Sequence, residues 1–122
     1  MSDSLRVAVI GSTSSGGWGH NIDELFIGTT GVRTVAVCDD TKSGLIEALN
    51  RHQLPETKDT AFLNWHNMLK EIKPDIVAIC SRHIQQHANI AIASAEAGVR
   101  GIFIEKPFVR SISEADAVVS AC

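Results

Sequence analysis

Residues 5–20 read LRVAVIGSTSSGGWGH, an apolar, β-branched run that ends abruptly in a loop of glycine and serine. A run that is apolar at nearly every position is typical of a strand buried on both faces of a parallel sheet. Glycines let the backbone turn tightly and approach a phosphate, and a helix after them would supply free N–H groups and a positive dipole end. The stretch therefore predicts a first strand followed by a phosphate-binding segment, residues 11–20, here called the glycine loop.

The strand pattern returns along the chain and alternates with helical spacing. Further strands are predicted at 34–38, 75–80 and 101–105, with a weaker one at 60–63. Helical spacing predicts helices over 21–27, 42–52, 64–72 and 85–97, and a last helix from Ser113 to the end of the chain. This alternation indicates βαβ units, whose parallel sheet is covered on both faces. We therefore predict an α/β fold of the doubly wound, Rossmann type, with three αβα layers, formed by residues 1–122 as a single domain.

The composition excludes several classes of protein. The 122 residues carry a net charge of −3 and no run of lysine or arginine, which argues against a nucleic-acid partner. No apolar stretch approaches the roughly 20 residues of a membrane span, and the N-terminus lacks the features of a signal peptide. Cys38, Cys80 and Cys122 have no CxxC spacing and are interpreted as reduced thiols. We therefore expect a cytoplasmic protein that contacts no membrane.

Two kinds of phosphate-binding motif compete for the glycine loop. Gly11 and Gly16 fit the start of the nucleoside-triphosphate motif GxxxxGK[ST], but Gly17 stands where that motif needs lysine. The dinucleotide fingerprint GxGxxG fits better, with Gly11 first and Gly16, Gly17, Trp18 and Gly19 following after three extra residues. A surface loop rich in glycine and serine is the alternative interpretation.

The second strand ends in a pair of aspartates, where dinucleotide-binding proteins place an acidic residue. Asp39 comes 20 residues after Gly19, and a carboxylate there accepts hydrogen bonds from the adenosine ribose hydroxyls. The same carboxylate would repel a 2′-phosphate, which favours NAD, while the nearby Lys42 leaves NADP as the alternative. Asp39 and Asp40 can also cap the next helix together with Thr41, and both roles can coexist.

The fourth strand ends in polar residues at the same edge of the predicted sheet. Cys80 is followed by Ser81, Arg82 and His83, and His87 comes one helical turn later. Ser81 and Arg82 are predicted to line the cofactor cleft, with His87 on the cleft side of the helix. His83 and His87 have the spacing of a metal pair, but no third ligand is nearby, and no metal is predicted.

The fifth strand ends in Glu105 and Lys106, which are followed directly by Pro107. The proline fixes the backbone and so holds the lysine at the rim of the sheet. A lysine there can transfer a proton to or from a hydroxyl or carbonyl during hydride transfer, and Lys106 is the predicted catalytic residue. A plain surface ion pair at the end of a strand is the alternative.

Together these segments resemble the Gfo/Idh/MocA oxidoreductases, the group of glucose-fructose oxidoreductase and inositol dehydrogenase. The resemblance spans nearly the whole chain, and Glu105-Lys106-Pro107 is its most specific part. It implies that Lys106 is a catalytic or proton-relay residue acting on a sugar, polyol or related hydroxy compound, with NAD or NADP as cofactor. The residues expected to contact the cofactor are Gly11, Thr13, Gly16, Gly17, Trp18, Gly19, Asp39, Asp40, Ser81, Arg82, His87, Glu105 and Lys106.

The sequence departs from that family in three ways. Its glycine loop is longer, so the contacts to the pyrophosphate are expected to be rearranged. Ser81 and Arg82 stand where the family often has a proline-containing turn. Family members also continue into a C-terminal substrate and oligomerisation domain that this chain lacks, so we expect a homo-oligomer only for the full-length protein and little turnover by the chain alone.

Two further classes of protein share such a glycine loop. A non-enzymatic sensor or regulatory module binds the nucleotide without hydride transfer. A CoA-binding Rossmann domain is the other, although the carboxylate of Asp39 would face its 3′-phosphorylated ribose unfavourably.

Overall fold

Residues 4–122, which the computed structural model describes, form a five-stranded parallel sheet with helices against it. The strands are β1 (Leu5–Ile10), β2 (Val32–Cys38), β3 (Ala61–Phe62), β4 (Ile76–Ile79) and β5 (Gly101–Ile104). The α-helices are α1 (Lys42–Arg51), α2 (Trp65–Ile72), α3 (Ile84–Glu96) and α4 (Ile112–Ala121). The strand order β3-β2-β1-β4-β5 confirms the predicted doubly wound, Rossmann-type fold.

Alternate residues of β1 point to opposite faces of the sheet, and both faces are covered. Ala8 and Ile10 belong to a buried cluster with side chains of α2, α3 and α4. Val7 and Val9 belong to a second cluster, which includes side chains of α1. Burial on both faces explains why the strand is apolar at nearly every position. None of the helices between residues 4 and 122 is long and apolar enough to cross a membrane.

The helix predicted over residues 21–27 is wrong. A single 3₁₀ turn, Ile22–Phe26, stands between β1 and β2 instead. Asn21 has a φ of 58°, a left-handed conformation that an α-helix does not tolerate, and Gly28 after the turn has a φ of 75°. Trp18, Ile22 and Phe26 take over the packing that a helix would supply on the α1 face. The glycine loop therefore does not lead into a helix with a positive dipole end.

The last helix begins one residue earlier than predicted. Its N-cap is Ser111, whose hydroxyl accepts a hydrogen bond from the backbone N–H of Glu114 at 3.1 Å. A serine in this position satisfies one of the free donors of the first turn.

A buried ion cluster fastens the 3₁₀ turn to α1. The carboxylate of Asp23, which is fully buried, accepts hydrogen bonds from Arg51 Nε at 3.2 Å and contacts His52 Nε2 at 2.9 Å. The guanidinium of Arg51 also lies 4.9 Å from the centre of the Trp18 ring. Burial alone raises the pKa of Asp23, but the His52 hydrogen bond and the Arg51 charge outweigh it and hold the pKa below its ordinary value.

Candidate functional site

The polar residues that follow the strands meet at the carboxyl edge of the sheet. Thr13, which follows β1, donates a hydrogen bond from its hydroxyl to Asp39, which follows β2. Gly19 of the same loop lies against Glu105, which follows β5, so closely that a Cβ at Gly19 would stand 2.1 Å from the carboxylate. The segments that leave strands one, two and five therefore converge on one region, as a dinucleotide site at a switch point of the sheet requires.

Asp39 is completely buried, and its carboxylate is surrounded by donors. Oδ2 accepts hydrogen bonds from the Thr13 hydroxyl at 2.6 Å and from the Trp18 indole N–H at 2.7 Å. Oδ1 accepts from the backbone N–H groups of Thr41 and Thr13 at 2.9 and 3.2 Å, and from the Thr41 hydroxyl. Since a carboxylate offers about four lone-pair sites, this one has no accepting capacity left for a ligand. In this conformation Asp39 ties the glycine loop to the start of α1.

The glycine loop folds back onto the end of β1 through Gly11. A Cβ at Gly11 would lie 2.1 Å from the Trp18 ring, so only glycine lets the indole pack over the strand end. Backbone hydrogen bonds in both directions between Ser12 and Gly17, at 3.0 and 2.7 Å, close the loop on itself. The loop thus covers the point at which a pyrophosphate would approach the sheet in the predicted site.

Asp40 faces outward and holds the serine part of the glycine loop. It accepts hydrogen bonds from the Ser12 hydroxyl at 2.9 Å, from the Ser14 N–H at 3.2 Å and from the Ser14 hydroxyl. Partial burial raises the pKa of Asp40, but these hydrogen bonds outweigh it and lower the pKa. Lys42, two residues further along the chain, pairs through its ammonium with Glu56.

Glu105 is the second buried carboxylate of the site, with 4% of its surface exposed. It accepts hydrogen bonds from the backbone N–H of His20 and, at 3.0 Å, from that of Lys106, and it contacts His20 Nδ1 at 2.8 Å. Burial raises the pKa of Glu105, but the bonds from His20 and Lys106 outweigh it, so its pKa is lowered. His20 was missed by the sequence analysis; the one signal for it is its position at the end of the glycine loop.

An open groove of about 430 Å³ is lined by His20, which contacts Glu105, and by Arg82, Lys106 and Pro107. The guanidinium of Arg82 lies 3.3 Å from His20 Nε2 and so closes the groove on the β4 side. A larger depression of about 770 Å³ beside β3 shares no residue with the predicted site. The smaller groove is the better candidate, because residues that follow β4 and β5 present two cations to it.

Two predicted cleft residues lie beneath the groove rather than in it. Ser81 is 1% exposed and His87 is fully buried, so neither presents a surface to a ligand in this conformation. His83, four residues before His87, is half-buried. Within residues 4–122 there is no group of three or more His, Cys, Asp or Glu side chains arranged to hold a metal ion.

The thiols differ sharply in accessibility, which predicts their reactivity. Burial, with smaller contributions from Asp39 and Asp40, raises the pKa of Cys38 to about 12, and burial raises the pKa of Cys80 well above its ordinary value. Cys122 is exposed. We expect iodoacetamide at pH 8 to alkylate Cys122 alone in the folded protein, and all three thiols in urea, as read by mass spectrometry. Alkylation of Cys38 or Cys80 at the Cys122 rate would contradict the burial described.

A 3-2-1-4-5 parallel sheet with a glycine loop after β1 and carboxylates after β2 and β5 defines the Rossmann class of nucleotide-binding proteins. A family model described as "Oxidoreductase family, NAD-binding Rossmann fold" matches residues 5–122. The chain therefore belongs to the Gfo/Idh/MocA family. No curated protein sequence matches it.

Several solved structures have a similar fold over nearly the whole chain. The WlbA dehydrogenase from Bordetella pertussis, in complex with NADH and UDP-GlcNAcA, is 21% identical with a TM-score of 0.77, covering 98% of this chain and 34% of that one. Myo-inositol 2-dehydrogenase from Lactobacillus plantarum is 24% identical with a TM-score of 0.77, covering 98% of this chain and 33% of that one. Biliverdin reductase from Synechocystis, in complex with biliverdin and NADP+, is 18% identical with a TM-score of 0.75, covering 96% of this chain and 34% of that one. The likeness shows the fold, and the chain spans about a third of the length of these proteins.

Proposed function

We propose that the chain is the NAD-binding domain of an oxidoreductase that transfers a hydride between a nicotinamide cofactor and a sugar, polyol or related hydroxy compound. One observation carries the proposal: the glycine loop, Asp39 and the Glu105–Lys106 pair converge at the carboxyl edge of a sheet of the required topology. Membership of an NAD-binding oxidoreductase family supports the same function. The cofactor, when bound, supplies the hydride-transfer chemistry.

The carboxylates can hold the cofactor by an exchange of donors. Ribose hydroxyls donate hydrogen bonds, as the Trp18 indole and the Thr13 hydroxyl do on Asp39 in the closed loop. Replacing one set of donors by the other leaves the buried carboxylate paired throughout, which avoids a large desolvation cost. Glu105 can exchange the donors of His20 for a hydroxyl of the second ribose in the same way. The glycine loop therefore opens as the dinucleotide enters.

Lys106 is the proposed proton donor and acceptor for a substrate bound in the groove. The exposed ammonium of Lys106 lines the groove beside Arg82. Lys106 gives a proton to the substrate oxygen during reduction, or accepts it during oxidation, while Arg82 and Lys106 together favour an anionic or hydroxyl-rich ligand. The loop glycines, Gly16, Gly17 and Gly19, let backbone N–H groups approach the pyrophosphate.

The charges at the β2 exit favour NAD over NADP. Asp39 and Asp40 are carboxylates, and a 2′-phosphate bound beside them would be a like charge at short range. Lys42, the cation that could compensate, is paired with Glu56. NADH is therefore the preferred form of the reduced cofactor.

Isothermal titration of the chain with NADH, NADPH and CoA tests the proposal directly. We expect one NADH site per chain, with NADPH bound about tenfold or more weakly because of the like charges at the β2 exit. CoA should neither bind nor raise the melting temperature. If neither NADH nor NADPH gives a measurable heat of binding, the proposal is wrong. A melting temperature raised by CoA alone would favour the CoA-binding class.

A substitution at Lys106 distinguishes an enzyme from a non-enzymatic sensor. In a protein that also carries the substrate domain, Lys106→Met is expected to abolish turnover with hydroxy compounds and to leave NADH affinity within about twofold, because the lysine acts in the reaction rather than on the adenosine half. A sensor would lose neither property. Equal loss of NADH affinity and turnover would place Lys106 in cofactor binding instead.

A further inference from the structure

We propose that His87 is a positioning residue, which joins the chain segments that leave β4 and β5 and so fixes Lys106 over the groove. The inference rests on the proposed function, because it assigns a cause to the place of the catalytic lysine. It also replaces the expectation that His87 touches the cofactor.

The imidazole of His87 lies between two loops that are far apart in the sequence. Its Nε2 is 2.7 Å from the carbonyl oxygen of Ser81, two residues after the end of β4. Its Nδ1 is 2.9 Å from the carbonyl oxygen of Pro107 and 3.0 Å from that of Phe108, both after β5. His87 stands in the first turn of α3 and is fully buried. One rigid ring therefore sets the spacing of both loops.

The contacts on His87 are all of one chemical kind. Carbonyl oxygens only accept hydrogen bonds, so a ring nitrogen that carries a proton donates to them. A neutral ring donates on one side, whereas a protonated ring donates on both. No hydroxyl or amide of a ligand can reach the ring, because His87 is fully buried. Its effect on a ligand must pass through those loops.

The effect falls on the groove, which is the nicotinamide end of the proposed cofactor site. Pro107 follows Lys106 directly, and Arg82 follows Ser81 directly, so both cations that line the groove are one residue from a carbonyl held by His87. A small displacement of a reacting group is costly for function even when the fold persists. The adenosine end, at Asp39 and Thr13, makes none of these contacts.

The test compares two ligands that differ in the nicotinamide half. NADH carries the nicotinamide half that would enter the groove, whereas ADP has the adenosine and the two phosphates only. For His87→Ala in this chain we expect the Kd for NADH to rise about tenfold, because the loop after β5 also carries Glu105, the proposed partner of the second ribose. The Kd for ADP should change by less than about twofold. His87→Gln, which retains an amide donor, should recover part of the NADH affinity. Titration calorimetry gives both constants.

Ser94→Ala is the matched control on the same helix. Ser94 is buried like His87, but its hydroxyl has no hydrogen-bond partner within the described part of the chain, and so it makes no hydrogen bond to either loop. Its variant should bind NADH and ADP as the wild type does.

NMR amide shifts in His87→Gln should change at residues 81–82 and 105–109, and melting curves should show both His87 variants folded.

The outcomes separate this inference from the proposed function. Selective loss of NADH affinity, with ADP unchanged and partial recovery by glutamine, supports the positioning role. Equal loss of both ligands by a folded variant, or unchanged binding of both, overturns it while the proposed function stands. If the wild type binds neither ligand, the proposed function fails and this inference falls with it.

Discussion

Replacing Asp23 with alanine is expected to lower the free energy of unfolding by about 3–5 kcal/mol, the usual cost of breaking a buried ion pair. The change leaves the side chain of His52, 1% exposed, and the partly buried guanidinium of Arg51 without their carboxylate. It also releases the 3₁₀ turn from α1, so the packing of Trp18 against Arg51 loses its support. Because small domains are stable by only about 5–15 kcal/mol, a loss of this size is a large fraction of the total.

Urea denaturation followed by circular dichroism measures the loss, and Glu24→Ala is the matched control. Glu24 is the neighbouring acidic residue of the same turn and is exposed, so its removal should change the free energy by no more than about 0.5 kcal/mol. Equal midpoints for the two variants would show that the ion cluster does not hold the turn.

The same carboxylate makes stability depend on pH. The pKa of Asp23 is lower in the folded protein than its ordinary value of 3.8, so the folded state binds fewer protons than the unfolded state. Its stabilising contribution is therefore complete above pH 3.8 and is lost as the pH falls through the lower folded pKa. The difference in unfolding free energy between wild type and Asp23→Asn should shrink over this window. A constant difference down to the lowest pH at which both fold would contradict the lowered pKa.

Much of the fold could be read from the sequence because its signals are local. Continuous apolar runs predicted the strands, and a glycine after 85–97 predicted the end of α3, where Gly98 has a φ of 88°. Helical spacing over residues 21–27 suggested a helix in the same way. The helix prediction failed because two features decide the local structure, the left-handed backbone of Asn21 and the pairing of Asp23 with Arg51 and His52. Neither feature follows from apolar periodicity.

The candidate site shows the same limit. The sequence could locate Asp39 at the end of β2, because position along a βαβ unit determines which edge of the sheet a residue reaches. It could not show that Trp18, 21 residues away, would occupy one oxygen of that carboxylate. A contact of this kind depends on how the glycine loop folds back, and the positive φ of its glycines permits many paths. The closed loop is therefore a finding of the structure.

Replacing Trp18 with phenylalanine is expected to tighten NADH binding by about tenfold. The indole N–H donates to the buried carboxylate of Asp39 at 2.7 Å, and a hydrogen bond to a charged group contributes roughly 1.5–3 kcal/mol. That bond stabilises the closed glycine loop, which the ribose must displace under the proposed exchange. A ligand that binds only the open loop has an apparent affinity reduced by the fraction of loops that are closed. Phenylalanine keeps the ring over Gly11 but removes the donor.

Trp65→Phe is the control, because Trp65 is the other tryptophan and lies on α2, away from the glycine loop. It should leave NADH affinity unchanged, and in its background the fluorescence of Trp18 should shift to longer wavelength as NADH binds and the indole becomes exposed. Calorimetry on the two phenylalanine variants gives the affinities.

The opposite change in NADH affinity is expected when Asp39, the acceptor of the same hydrogen bond, is replaced. Asp39→Asn keeps one acceptor oxygen and turns the other into an amide donor, so it cannot accept from both ribose hydroxyls, and NADH binding should weaken by about tenfold even where the bond from Trp18 is lost. Opposite signs for Trp18→Phe and Asp39→Asn are what donor exchange requires, since one variant removes the competitor and the other removes the acceptor. If Trp18→Phe weakens binding instead, the indole contacts the cofactor itself, and the loop holds the dinucleotide rather than standing in its place.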